Sequence, residues 1–352
     1  MMSANYISTY MLSSALRYSI TNNQSSLSKA TKEATTGRFA DVGLQLGVST
    51  GRDVALRADM NFIDQIVDTN GLVSGRLDVT QNRITQLGST AQDFLKNLIA
   101  ARDANNGASM ILPSASANLQ DLIGALNASY NGSYLFGGLN TQNAPITNYA
   151  AGSTSKNQVD ADFLAAPPTG FGFSQSSASV STITPAQMQN FLNTTFDAEF
   201  ASPAWNTNWS SATNQPLSSR ISTTQVVDTS VSANQPGFRQ LAEAYTMLSD
   251  LGNTNLSQAT FQTVVDKAIS LVSGAIDNLA VLGGSVGSIQ QQVSNATDKL
   301  KIQHDILNQQ VVDMEKVDPT EASVRVNTLQ NQIETALALT SRMQKISLIN
   351  YL

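Results

Sequence analysis

Between Ile63 and Ala101 the apolar positions recur at alternating steps of three and four. The series Ile63, Ile66, Asn70, Val73, Leu77, Thr80, Ile84, Leu87, Ala91, Phe94, Leu98 and Ala101 has the heptad spacing of a long helix packed in coiled-coil fashion. At about 1.5 Å per residue such a helix runs roughly 60 Å. Val73, Leu77, Ile84, Leu87, Phe94 and Leu98 are its large seam residues. The polar Asn70 and Thr80 read as register-setting positions.

The C-terminal third repeats the device. One seam runs through Val286, Ile289, Val293, Ala296, Leu300 and Leu307, and another through Val326, Leu329, Ile333, Ala336, Thr340 and Met343. Between them, in "MEKVDPTEA", Pro319 restricts Asp318 away from helical geometry and then fits the first turn of the next helix, with Glu321 near its positive end. A break or kink is expected there. Near the N-terminus Met11, Ala15, Tyr18, Leu27, Ala30 and Ala34 form a weaker, poorly anchored stripe. The glycines of "GRFADVGLQLGVSTGRD" then predict a loop or hairpin.

From about Tyr134 to Gly237 the pattern changes. Pro145, Pro167, Pro168, Pro185, Pro203, Pro216 and Pro236 fall here with both tryptophans and few charges. Such proline density forbids long helices, and β-branched stretches such as "RISTTQVVDTSVSA" predict a mainly β insert with one short helix around "TPAQMQNFLNTTF". Disorder is the alternative for so Ser- and Asn-rich a segment, but its Trp and Phe content argues for a small core. The fold class is therefore mainly α with a β-rich insert. Long helices from the N- and C-terminal regions pair antiparallel as a coiled-coil bundle or rod, with a central mainly β domain between them.

Composition sharpens this picture. The 352 residues suffice for two or three domains, and the 13% charged fraction is about half the usual value, so most of the surface is uncharged and polar. Such a surface suits packing against copies or relatives of the same chain. A net charge of -6 and the lack of any Lys/Arg run disfavour nucleic acid and anionic membranes. The N-terminus lacks the basic and unbroken apolar regions of a secretory signal, and no apolar run of about 18 residues predicts a membrane span.

Candidate chemistry is sparse. There is no cysteine, and His304 is the one histidine, which excludes thiolate chemistry, Cys-based zinc sites and multi-His metal sites. His304 reads as a surface helix residue, with Asp305 pointing elsewhere. Asp160 with Asp162 and Asp197 with Glu199 are carboxylate pairs of the kind hydrolases use, but they read as solvated turns or strand positions. No phosphate-binding glycine fingerprint is present. The expectation is a protein that is not an enzyme and uses no cofactor.

Three stretches carry a family resemblance. "SLSKATKEATTGRFADVG", "NASYNGSYLFGGLNTQNAPI" and the pair "LGGSVGSIQQQVSNATDKL" and "ALALTSRMQKISLINYL" resemble, in order and at matching distances from both ends, bacterial flagellins. They resemble more closely the hook-filament junction proteins of the flagellum, also called hook-associated protein 3. The likeness covers roughly residues 3 to 135 and 238 to 352. Asp41 is followed by Val42, Gly43 and Leu44 where many relatives carry adjacent acidic residues, so the family's loop contacts are not carried over to Asp41. Asn350 stands where an acidic residue usually precedes Tyr351.

The resemblance implies a structural junction subunit, connected to the hook through another hook-associated protein and to the flagellin filament. It implies type III export without a cleaved Sec signal and an extracellular place in the flagellum. The implied partners are further copies in a homo-oligomeric ring, another hook-associated protein, flagellin, and an export chaperone at the C-terminal helix. The implied organisation pairs 1–50 with 315–352 as an inner-tube assembly domain, makes 51–134 and 238–314 a helical rod, and places 135–237 outermost. Ile346, Leu348, Ile349, Tyr351 and Leu352 would then be interface residues, the alternative being burial within the monomer. Flagellin itself is the near alternative. A surface module binding carbohydrate or a receptor through the insert, with Trp205 and Trp209 as stacking faces or as core, is the other.

Overall fold

The computed structural model describes residues 9–349, with the side chains at 9, 10, 12, 344 and 346–349 outside the description. Its helices are α1 (Thr9–Thr36), α2 (Val42–Leu46), α3 (Thr50–Arg102), α4 (Gly107–Leu126), α5 (Thr154–Leu164), α6 (Pro185–Phe191), α7 (Asp197–Glu199), α8 (Ala204–Asn208), α9 (Pro236–Asp250), α10 (Gln258–Glu315) and α11 (Pro319–Ile349). Four short strands, β1 (Ser129–Tyr130), β2 (Ser133–Tyr134), β3 (Ser218–Arg220) and β4 (Val226–Asp228), form two antiparallel hairpins. The chain divides into two compact units, residues 1–65 with 300–352 and residues 66–299.

In the larger unit α3 and α10 run antiparallel. Asn70 Nδ2 donates to Thr297 Oγ1 (3.0 Å), Gln290 Nε2 to Asp78 Oδ1 (2.6 Å), and Arg102 holds Asp266 through two nitrogens (2.6 and 3.0 Å). Partner numbers fall along one helix as they rise along the other. The backbones approach closely at Gly283, where a Cβ would stand 3.2 Å from the Gln81 amide. Helices α4 and α9 pack together beside them, and Phe94 of α3 meets Tyr245 of α9 edge to face at 5.0 Å. Val73, Leu77, Ile84, Leu87, Phe94 and Leu98 are all buried. So are the polar members of the series, Asn70 and Thr80, the latter satisfied by its own helix through the Arg76 carbonyl.

The smaller unit holds α1 against α11, with the first turns of α3 and the last turns of α10. Ala30, Ala322 and Ala336 are buried, and small residues at these positions let helices approach closely. The expected break at Pro319 is present, with Asp318 accepting from the Thr320 amide at 2.8 Å. The expected glycine loop after α1 contains a short helix as well. Asp41 caps α2 by accepting from the Leu44 amide at 3.0 Å, and a 3-10 turn at Gly47–Ser49 leads into α3.

The expectation of a β-rich insert is corrected. Between β2 and α9 the described chain holds one hairpin, β3–β4, and otherwise short helices and turns. The helices of the insert are short, as its prolines predict, and the short helix expected at "TPAQMQNFLNTTF" is α6 with the turn that follows it. Pro185 occupies the first turn of α6 behind a Thr184–Gln187 capping box, and Pro236 opens α9. The β-branched run yields only Ser218–Arg220 paired with Val226–Asp228, because the residues after it bond to the rest of the fold. Thr229 adds one more rung to the hairpin by donating to the Leu217 carbonyl, and beyond it Ala233 donates to the Phe136 carbonyl, each at 2.7 Å.

Candidate assembly surface

No described group of His, Asp and Glu side chains could hold a metal ion. In the smaller unit Met11 and Tyr18 on α1, Leu44 and Val48 around α2, Val54 and Phe62 on α3, Ile302 and Ile306 on α10, and Val324, Leu337 and Leu339 on α11 are exposed. The sequence stripe is thus covered only in part: Ala30 is buried, whereas Tyr18 retains 72% of its accessible surface. Beside these residues a shallow groove between α1 and α11 is lined by Leu16, Ser19, Asn23, Thr328, Asn331, Gln332, Thr335, Ala336 and Leu339. Exposed aliphatics surrounded by uncharged amides and hydroxyls form a surface that protein can cover with little desolvation of charge.

A latch fixes one end of this helix pair. The Val317 amide donates to the Gly37 carbonyl (2.8 Å) and the Phe39 amide to the Glu315 carbonyl (3.0 Å). Gly37 adopts φ +67°, a conformation that favours glycine. The Glu315 carboxylate, 2% exposed, binds Arg57 and lies 3.5 Å from Arg38, while Arg57 also reaches Asp53 at 3.2 Å. The Glu315 hydrogen bond raises the Arg57 pKa above its ordinary value. Glu33 completes the set, accepting from the Ala40 amide and from Arg325, each at 3.1 Å. The two segments the sequence marks as interruptions of helix are therefore each other's partners.

The "YLFGG" stretch is a buried fastening. Leu135 and Phe136 are fully buried, and Phe136 meets Phe238 edge to face at 5.5 Å. Arg76 of α3 donates to the Tyr134 and Leu135 carbonyls at 2.9 and 3.3 Å. Gly138 has φ +63°, and a Cβ there would strike the Thr213 backbone. A side chain on Gly137 would strike the Asn140 carbonyl.

Of the interface residues expected from the sequence, Tyr351 and Leu352 lie outside the described residues, as do the side chains of Ile346, Leu348 and Ile349; the backbone of α11 extends to Ile349. Trp205 and Trp209 offer no outward stacking face. They are 1% and 0% exposed and stack on each other at 5.6 Å, so of the two readings of these rings the structure has them as core. Glu199 is likewise buried, not solvated, where it accepts from Asn208 and from the Trp209 indole at 3.1 Å. Burial pushes its carboxyl up to about 7. Asp197 faces Lys267 at 3.4 Å, Asp160 pairs with Lys156, and Asp162 accepts from Gln158 at 2.8 Å, so neither pair forms an isolated dyad. His304 sits on α10 with Asp64 at 3.5 Å, and Asp305, expected to point away, lies 3.7 Å from its other nitrogen.

Comparison with known proteins follows the two ends of the chain. The bacterial flagellin N-terminal helical region matches residues 7–141, and the flagellin C-terminal helical region matches residues 269–352. The chain belongs to the flagellin superfamily. A solved structure described as a flagellar hook-associated protein from Vibrio parahaemolyticus is similar in fold, with a TM-score of 0.52 at 9% identity over 76% of this chain and 97% of that one. No curated protein matches in sequence. This flagellin-superfamily chain is a structural component of the bacterial flagellum, an extracellular polymer. Membership points to self-assembly with other flagellar proteins and to a structural role in place of catalysis.

Proposed function

We propose that this protein is the junction subunit between hook and filament. The observation that carries the reading is the "SYLFGG" segment, which lies near the end of the matched N-terminal region and is fastened to α3 through Arg76, to α9 through Phe136, and to the insert at Gly138. The fold similarity to a flagellar hook-associated protein supports the same reading. The subunit forms a ring on another hook-associated protein and presents its other side to flagellin. It is exported by the flagellar type III apparatus, with a chaperone as a candidate partner of the C-terminal helix.

In this reading 1–50 and 315–352 form the assembly domain, 51–134 and 238–314 the rod, and 135–237 the outer domain. Val73, Leu77, Ile84, Leu87, Phe94 and Leu98 hold the rod together. Ile346, Leu348, Ile349, Tyr351 and Leu352 are the assembly-interface residues of this reading, covered by neighbouring subunits. Burying several large aliphatic groups at ~1.5–3 kcal/mol each offsets the entropy of ordering terminal helices. Both matched regions bear the flagellin name, which favours the filament subunit as the second reading.

Electron microscopy of a strain lacking the gene, with flagellin assayed in the medium, tests both. Bare hooks with shed flagellin are expected for a junction subunit. Bare hooks without shed flagellin would assign the chain to the filament, and normal filaments would overturn both readings.

A further inference from the structure

The aromatic residues of the insert are mostly interior: Phe163, Phe191, Phe196, Trp205 and Trp209 are fully buried. Phe171 and Phe173 differ. Both are half-buried, their rings lie 6.2 Å apart at 30°, and they border a cleft of about 360 Å3 together with Pro168, Ile183, Gln187 and Asn190. No charged side chain lines it.

Gln187 and Asn190 are one turn apart on α6 and therefore share a face. Gln187 directs its carbonyl oxygen to the Thr184 amide at 3.0 Å, which leaves its NH2 group to donate outward. The Asn190 amide is exposed and offers both a donor and an acceptor. Helix α6 passes directly into a π-helical turn, Leu192–Phe196, a distortion frequent at functional sites. Thr195 of that turn ties back to the opposite wall by donating to the Thr169 carbonyl at 2.8 Å. The cleft is thus braced on both sides.

We propose that this cleft binds a neutral saccharide. The volume lies at the lower end of small-ligand pockets, roughly 300–1,000 Å3, and suits one or two sugar rings. The apolar C–H face of a pyranose fits the negative face of an aromatic ring. Paired amides match adjacent hydroxyls, each of which donates and accepts. A proline-rich peptide would also find rings here, but its backbone presents chiefly acceptors and would leave the Asn190 oxygen unused. The proposal is independent of the junction reading.

Saturation-transfer difference NMR on the full chain, with lactose, maltose and N,N′-diacetylchitobiose as separate probes, tests it. Transfer to the ring C–H protons of at least one probe is expected. Asn190→Ala and Phe173→Leu should each weaken binding about fivefold with the thermal unfolding profile retained, since a neutral hydrogen bond and an aromatic face each contribute about 1 kcal/mol. No transfer to any probe would overturn the proposal. Transfer undiminished in both variants would also overturn it, as would displacement of the sugar's place by preferential binding of a decaproline peptide.

Discussion

Asn70 Nδ2 donates to the Ile221 carbonyl at 2.9 Å, a buried bond that joins the seam of α3 to the turn after β3 across 151 positions of sequence. The same amide reaches Thr297 on α10, so one seam residue fixes both a helix register and a hairpin. Asn70→Leu strands the Ile221 carbonyl, and we expect a loss of about 1–3 kcal/mol. Amide exchange should accelerate first in residues 218–229. Unchanged protection there would deny the bond its role.

Two buried acids make the larger unit sensitive to pH. Burial pushes Glu243 up to about 8 and Glu199 up to about 7, so both stay protonated in the folded chain where an unfolded chain has ionised, above about 4.3. Stability is therefore full below that value, falls as pH rises toward 7 to 8, and is flat beyond. Denaturant titrations between pH 5 and pH 8 should show this decline, and Glu243→Gln should reduce its slope.

Breaking the latch should loosen one place only. Glu315→Gln leaves Arg57 and Arg38 without their buried carboxylate, at a cost of about 1–2 kcal/mol, less than for a fully buried pair because Arg57 is half in water. Faster exchange of the Phe39 and Val317 amides, with the 66–299 unit unaffected, is the expected signature.

Gly138→Ala should destabilise the insert by about 1–3 kcal/mol, since the position combines positive φ with a blocked Cβ direction. Tryptophan emission provides the readout: with both indoles buried, acrylamide should quench the wild type poorly and the variant at a lower denaturant concentration.

The long helices were legible because a heptad seam repeats one constraint many times, and the twelve positions from Ile63 to Ala101 are all buried. Of the insert, the short helix at "TPAQMQNFLNTTF" is legible and the other short helices are not, because β-branched residues suggest strands where tertiary contacts hold turns and helices. A capping box spans only four residues, and "TPAQ" carried that signal. The latch segments are legible only as breaks in helix, and their pairing leaves no trace. Arg57 and Glu315 are 258 residues apart, and nothing periodic marks such a pair. Phe171 and Phe173 look like any other phenylalanines in sequence, and only the shape of the cleft separates them from Phe163 and Phe191.

The smaller unit combines residues 1–65 with 300–352, whereas the larger one is continuous from 66 to 299. Contacts so distant in sequence must close a very large loop, whose entropy is lost before any contact compensates for it. During vectorial delivery of the chain, from a ribosome or through a channel, 66–299 has its full set of partners while α1 still waits for α11. The order of emergence thus sets a timer: the surface bearing Tyr18 and Leu339 is completed only after the whole of 66–299 has emerged.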